Sequence, residues 1–237
     1  MKLVICIDDT DNLESKGTGS IADEMRQIII QEGFGKCGIV TRHQLLLHKD
    51  IPYTSHNSSM CFDCEIDDSK YEILEETLST YLKNESADGS DPGICIVKLT
   101  HETNEDLLLD FGLRAKKCIL TKEEAYDVAN ELGLYLKEEG GTGQGVIGAL
   151  AGAGLRLGGN DGEVKGEIKQ YEKGRTYPIH HLLSGNIIQM VCDIDYNIIP
   201  KNQHVYITWK AKPVLVNKKI VLLVKWSEEK QLWVTME

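Results

Sequence analysis

The sequence predicts a mixed fold of the α+β or α/β type, with a mixed-sheet core over residues 1–175 and a short β-rich segment over residues 176–237. Three observations support this. The run "KLVICID" reads as a fully buried strand, a short apolar run that stops at polar turn residues. Between residues 59 and 99 a strand, an amphipathic helix and a second strand follow one another, a ferredoxin-like β-α-β unit that extends toward residue 120. Beyond "HHLLSGN" the chain turns to short β-type runs, read as a small and mostly antiparallel module.

Taken in order, the first strand leads to a helix over 19–32, where Ile21, Met25, Ile28 and Ile29 share one face. "KCGIVTRHQLLLH" reads as a strand, "KDIPYTSHNSS" as a loop and "MCFDCEID" as a strand. The next helix carries a capping box, Ser69 to Glu72, and a stripe of Tyr71, Leu74, Leu78 and Leu82. "ICIVKL" is a strand after the turn-rich "ESADGSDPG". A second capping box, Thr121 to Glu124, opens a helix whose core face is Ala125, Val128, Leu132 and Leu136. "GTGQG" is a flexible loop feeding the helix "VIGALAGAGLRL", and the last runs are "IIQMVCDI", "HVYITW", "PVLV", "KIVLLVKW" and "QLWVT".

Composition narrows the classes. The 237 residues suffice for one large domain or two small ones. No apolar stretch approaches a membrane span and the N-terminus lacks a signal-peptide layout, so a cytoplasmic protein is expected. Seven scattered cysteines suit reduced core thiols. In "CFDC", Cys61 and Cys64 should point to opposite faces of their strand and hold no zinc together. A net charge of −11 argues against holding nucleic acid by bulk electrostatics, although residues 187–237 carry a net +2 and all three tryptophans.

Chemistry concentrates in "ICIDDTDNLESKGTGS". Asp8, Asp9 and Asp11 crowd the carboxyl end of a strand, where ligands of open α/β sheets sit, and carboxylates there can hold Mg²⁺. In "KGTGS", Thr18 and Ser20 are placed to cap the next helix, and Gly17, Gly19 and Ser20 offer a phosphate the free amides of a helix N-terminus. An exposed acidic turn with a plain N-cap is the competing reading. An EF-hand and a haloacid-dehalogenase motif both fail at Leu13. Residues 140–162 hold ten of the 22 glycines. Gly143, Gln144 and Gly145 offer amides to an anion, or the glycines serve close packing alone. The loop "IPYTSHNSS" presents His56 and Asn57 to a polar ligand or simply to water, and His180 and His181 have no partner motif.

Four stretches, "IDDTDNLESKGTGS", "IPYTSHNSS", "DPGICIV" and "GTGQGVIGALA", together resemble the archaeal tRNA-isoleucine agmatinylcytidine synthetase family over roughly residues 1–175. The resemblance implies a kinase-like core that binds ATP and Mg²⁺ through Asp8, Asp9 and Asp11, autophosphorylates Thr18, and activates a cytidine for attack by agmatine. Full-length members continue through an oligonucleotide-binding barrel and a zinc ribbon; residues 176–237 contain only Cys192, too few thiols for the ribbon. The expected activity is therefore phosphotransfer to an unidentified acceptor, with a cationic amine such as agmatine as a possible partner. The competing readings are tRNA modification with a partner protein and a non-catalytic nucleotide-binding module.

Overall fold

Alternation along the first strand accounts for the layering of the first unit. The computed structural model describes residues 1–51, 56–101, 103–166 and 168–236, and the chain divides into compact units at Met1–Gly158 and Gly159–Glu237. The boundary expected from the sequence lies between residues 175 and 176. In β1 (Lys2–Asp8), Leu3, Ile5 and Ile7 point to one face and Val4 and Cys6 to the other, all fully or almost fully buried. A strand sealed on both faces must be uniformly apolar, as "LVICI" is.

The first face is covered by α1 (Thr18–Gln31), whose Ile21, Met25 and Ile29 are buried as expected, with Ile28 at the margin. After α1 the chain forms β2 (Gly35–Cys37) and β3 (Thr41–Gln44), both antiparallel to β4 (Ser58–Ile66). The single strand read over 36–48 is thus two short ones. Cys37 faces Cys64 but Thr41 faces Cys61, so three residues oppose two and the junction is a bulge. Cys61 and Cys64 do point to opposite cores.

The helix α2 (Tyr71–Glu85) buries Tyr71, Leu74, Leu78 and Leu82. Its start corrects the Ser69–Glu72 capping box: the Asp67 carboxylate accepts from both the Ser69 N–H, at 2.9 Å, and the Ser69 hydroxyl, at 2.7 Å, across a 3₁₀ turn. With the Ser69 hydroxyl so engaged, the N-cap of α2 falls on Lys70, which makes no side-chain cap. Then β5 (Gly93–Leu99) pairs antiparallel to β1 on the edge opposite β4. The β4–α2–β5 passage is accordingly a split β-α-β unit with β1 between its strands.

The other face is covered by α3 (Glu105–Ala115), α4 (Lys122–Glu131) and α5 (Gly145–Gly158). The sequence reading assigned no element to α3, which Asn104 caps by accepting from the Leu107 N–H. The Thr121–Glu124 capping box is present. That helix ends at Glu131 and Gly133 turns the chain with φ +61°, so Leu136 lies on β6 (Tyr135–Glu138) and not on the helix face. The strand order is β6–β5–β1–β4–β3, antiparallel at every step.

In the second unit the short runs form β7 (Glu163–Val164), β8 (Thr176–Pro178), the short helix α6 (Ile179–Ser184), β9 (Met190–Cys192), β10 (His204–Tyr206), β11 (Val214–Val216), β12 (Lys219–Ser227) and β13 (Leu232–Thr235). Strand β12 is the spine, antiparallel to β11 and β13 and parallel to β9. Strand β10 pairs parallel to β13, and the unit's core includes Ile179, Val205, Leu222 and Val224. No helix among the described residues is long and apolar enough to cross a membrane.

Helix α5 touches α3 backbone to backbone. A Cβ on Gly154 would collide with the Leu108 carbonyl, and one on Gly112 would press on the Ala151 carbonyl. Alanine raises helix propensity by roughly 1 kcal/mol, whereas overpacking of this kind costs roughly 1–3 kcal/mol and cannot be relieved by rotating a side chain. Gly154→Ala is therefore expected to lower the free energy of unfolding in urea, by up to about 2 kcal/mol net.

Candidate functional site

Where β1 ends, the backbone turns sharply: Asp9 adopts φ +51°, a left-handed conformation that aspartate tolerates better than most residues. The turn sends three carboxylates into the lining of a cavity of about 420 Å³. Asp8 continues the α5-facing side of β1 and lies where a side chain on Gly148 would strike it, so only a glycine at 148 leaves the carboxylate its place. Its Oδ1 accepts from the Asp9 N–H at 2.9 Å. Burial, with Asp9 and then Asp11 as like-charged neighbours, pushes the Asp8 carboxyl up to about 8. Burial and the nearby Asp91 and Asp11 carboxylates push Asp9 up to about 6.

The N-terminus of α1 opens on the same cavity. Its N-cap is Gly17, which makes no side-chain cap, so neither Thr18 nor Ser20 caps the helix as expected. Thr18 is its first residue, and the loop aspartate Asp11 reaches back to accept from the Thr18 N–H at 3.4 Å. The buried Thr10 hydroxyl donates to the Thr18 hydroxyl at 3.1 Å, leaving the Thr18 proton free to be given elsewhere. Lys16 does not reach the cavity; Glu24 and Glu85 each hold it at 2.6 Å.

A second helix N-terminus, that of α5, meets the first. The "GTGQG" loop before it is tied down and not free: Asp91 accepts from the Thr142 N–H and, at 2.6 Å, from its hydroxyl, while the Asp91 carbonyl accepts from the Gly145 N–H at 3.0 Å. Gln144 and Gly145 line the cavity. Gly143, at φ +76°, sits behind them against Glu138, and Ser20 lies one turn into α1; neither lines it.

His56 and Asn57 also line the cavity. The Asn57 side-chain amide donates to the Leu46 carbonyl at 2.7 Å, which fixes the loop beside β3. Residues 52–55 of that loop lie outside the described residues.

Several cavity residues carried no sequence signal. Arg42 brings the positive charge from β3, Asp50 adds a carboxylate, and Leu45, Met60, Ile119 and Ile147 form an apolar wall against which a planar ring could lie. Only the alternation of β3 hinted that Arg42 and the buried Thr41 and His43 face opposite ways. Among the described residues no group of three His, Cys, Asp or Glu side chains is already arranged around a metal position. The donor set nonetheless suits a hard cation: oxygens only, from carboxylates whose crowding a cation would relieve.

No protein-family model and no curated protein matches the chain. Solved structures do. A tRNA fluorescent labeling enzyme is 28% identical with a TM-score of 0.55, over 65% of this chain and 36% of its own. Apo TiaS, a tRNA agmatidine synthetase, is 25% identical with a TM-score of 0.55, over 65% of this chain and 35% of its own. TiaS in complex with tRNA and ATP is 22% identical with a TM-score of 0.56, over 85% of this chain and 50% of its own, a likeness of fold alone. The chain thus spans between about a third and a half of these proteins, and its α+β fold resembles the core of TiaS.

Carboxyl groups raised by folding favour the native state when protonated. Folded Asp8 and Asp9 bind protons over a range, from about 4 to about 8, in which the unfolded chain has released them, so metal-free stability falls as pH rises through it. Melting temperatures of the metal-free protein, recorded from pH 5 to pH 8, are expected to decline, and Asp8→Asn to flatten that decline.

Proposed function

We propose that the chain is an ATP- and Mg²⁺-dependent phosphotransferase of the agmatinylcytidine-synthetase kind, acting on an acceptor not yet identified. The observation that carries this reading is the convergence of two helix N-termini, three aspartates and the Thr18 hydroxyl on one cavity with an apolar wall. Anions favour helix N-termini, and carboxylates beside them require a cation between protein and phosphate. Asp8, Asp9 and Asp11 would hold Mg²⁺, which when bound neutralises the charge on the phosphates. Thr18 and Gly19 at the head of α1, with Gln144 at the head of α5, orient the phosphate chain, while the Gly145 N–H stays with the Asp91 carbonyl, and Leu45, Ile119 and Ile147 exclude water around the base.

Thr18 serves as the transient phosphoryl acceptor. Its oxygen forms the bond to the terminal phosphorus as the bond to the bridging oxygen breaks and ADP departs; the hydroxyl proton passes to a carboxylate of the cluster. Thr10 holds the Thr18 oxygen in place for that attack. His56 and Arg42 face the acceptor, and the excess of aspartates suits a cationic amine such as agmatine.

Incubation with γ-labelled ATP and Mg²⁺ tests this directly. Label on the protein that EDTA abolishes, and that Thr18→Ala and Asp9→Ala each reduce at least 100-fold, is the expected result. ATP binding without phosphoprotein or hydrolysis would favour a non-catalytic nucleotide-binding module, and no ATP binding would overturn the reading.

A second reading, tRNA modification with a partner protein, draws on the second unit and on a TiaS structure solved with tRNA, an ATP analogue and agmatine, alike in fold. In the second unit of this chain Trp209 is 54% exposed and Lys173 Nζ lies 4.2 Å from its ring centroid, an arrangement on which a base could stack. If this holds, tRNA binding weakens with salt and Trp209→Ala lowers affinity by about tenfold.

A further inference from the structure

A pair of cysteines away from the cavity is placed for chemistry of its own. Cys37 on β2 and Cys64 on β4 are direct cross-strand partners. The adjacent Gly38 N–H donates to the Asp63 carbonyl at 2.8 Å, which identifies Cys37 and Cys64 as a non-hydrogen-bonded pair. At such positions Cα atoms approach to roughly 4.5 Å, within the roughly 4.4–6.8 Å that a disulfide spans. Both side chains point to the α1-covered face, where Cys37 Sγ donates to the Arg26 carbonyl at 3.7 Å. Access is unequal: Cys37 is half-buried and Cys64 is 4% exposed.

We propose that Cys37 and Cys64 form a redox-active dithiol site whose substrate is a low-molecular-weight disulfide. The Cys37 thiolate attacks one sulfur of that disulfide, forming a mixed disulfide and releasing one small thiolate. Cys64 then gives up its proton to solvent and attacks Cys37 Sγ, closing the intramolecular disulfide and releasing the second small thiol. Two protein thiols are oxidised and one small disulfide is reduced to two thiols.

The electrostatics suit this order of events. The hydrogen bond from Cys64, and then the Arg26 charge, hold the Cys37 thiol below its ordinary range against burial and Asp63, while the same hydrogen bond and burial push Cys64 up. Cys37 is thus both the more accessible sulfur and the better thiolate. The buried thiols Cys6, Cys61 and Cys95 lie under α5 on the other face of the sheet and have no such access.

The test treats the full chain with glutathione disulfide and maps the products by mass, using fragmentation to separate Cys61 from Cys64 in their common tryptic peptide. The wild-type protein is expected to lose two hydrogens and to yield a Cys37–Cys64 cross-link. Cys37→Ser should abolish that link, and Cys64→Ser should instead accumulate one glutathione on Cys37 with Cys6, Cys61 and Cys95 unmodified, a pattern an unfolded variant cannot give. Reaction confined to the exposed Cys118, links between other cysteines, or a wild-type adduct on Cys37 that never resolves would each overturn the proposal.

Discussion

The close seating of α5 governs the first unit. Gly145, Gly148 and Gly152 remove the side chains that would otherwise hold the helix away from the sheet: Gly145 meets the Gly93 N–H and the Asp8 carbonyl, Gly148 the Asp8 carboxylate, and Gly152 the side chains of Ser59 and Cys6. Sheet and helix backbones approach as they do because the contact layer is made of Gly, Ala, Ser and Cys. That approach puts the positive end of a helix beside the end of the central strand. The aspartate turn, the Asp91 clamp and the cavity all follow from it.

The same seating explains the protonation of the carboxylates. Asp8 is 9% exposed and cannot escape to water, because α5 closes the space on one side and Asp9 and Asp11 crowd the other. Loss of solvent and like charge act in one direction, and the hydrogen bond from the Asp9 N–H does not cancel them. A carboxyl group kept protonated by its surroundings is poised to exchange that proton for a cation.

Much of this was legible in the sequence because it rests on local pattern. The run "KLVICID" announces a strand sealed on both faces, the stripe on α2 announces its buried side, and the Thr121 capping box marks the start of α4. The candidate site residues Asp8, Asp9, Asp11 and Thr18 stood out for the same reason, since they crowd one turn. What depends on a distant partner was not legible. Asp67 takes the role given to Glu72, Asp11 takes the capping role given to Thr18, and Asp91 ties a loop fifty residues further on. Helix α3 escaped notice although Leu108, Phe111 and Ala115 mark its buried side.

The bulge between β2 and β3 sets the phase of everything after it. Thr41 lies four positions beyond Cys37, an even offset that would ordinarily leave both on one face, yet Cys37 belongs to the α1 side and Thr41 pairs with Cys61 of the α5 side. One additional residue inverts the parity, and with it Arg42 comes to stand opposite Met60 at the cavity while His43 turns inward. The cavity's arginine is therefore selected by counting: a regular ladder continued from the Cys37–Cys64 pair without the bulge would set Thr41 opposite Met60 and exchange the cavity's cation for a threonine, with every side chain of the site intact in sequence.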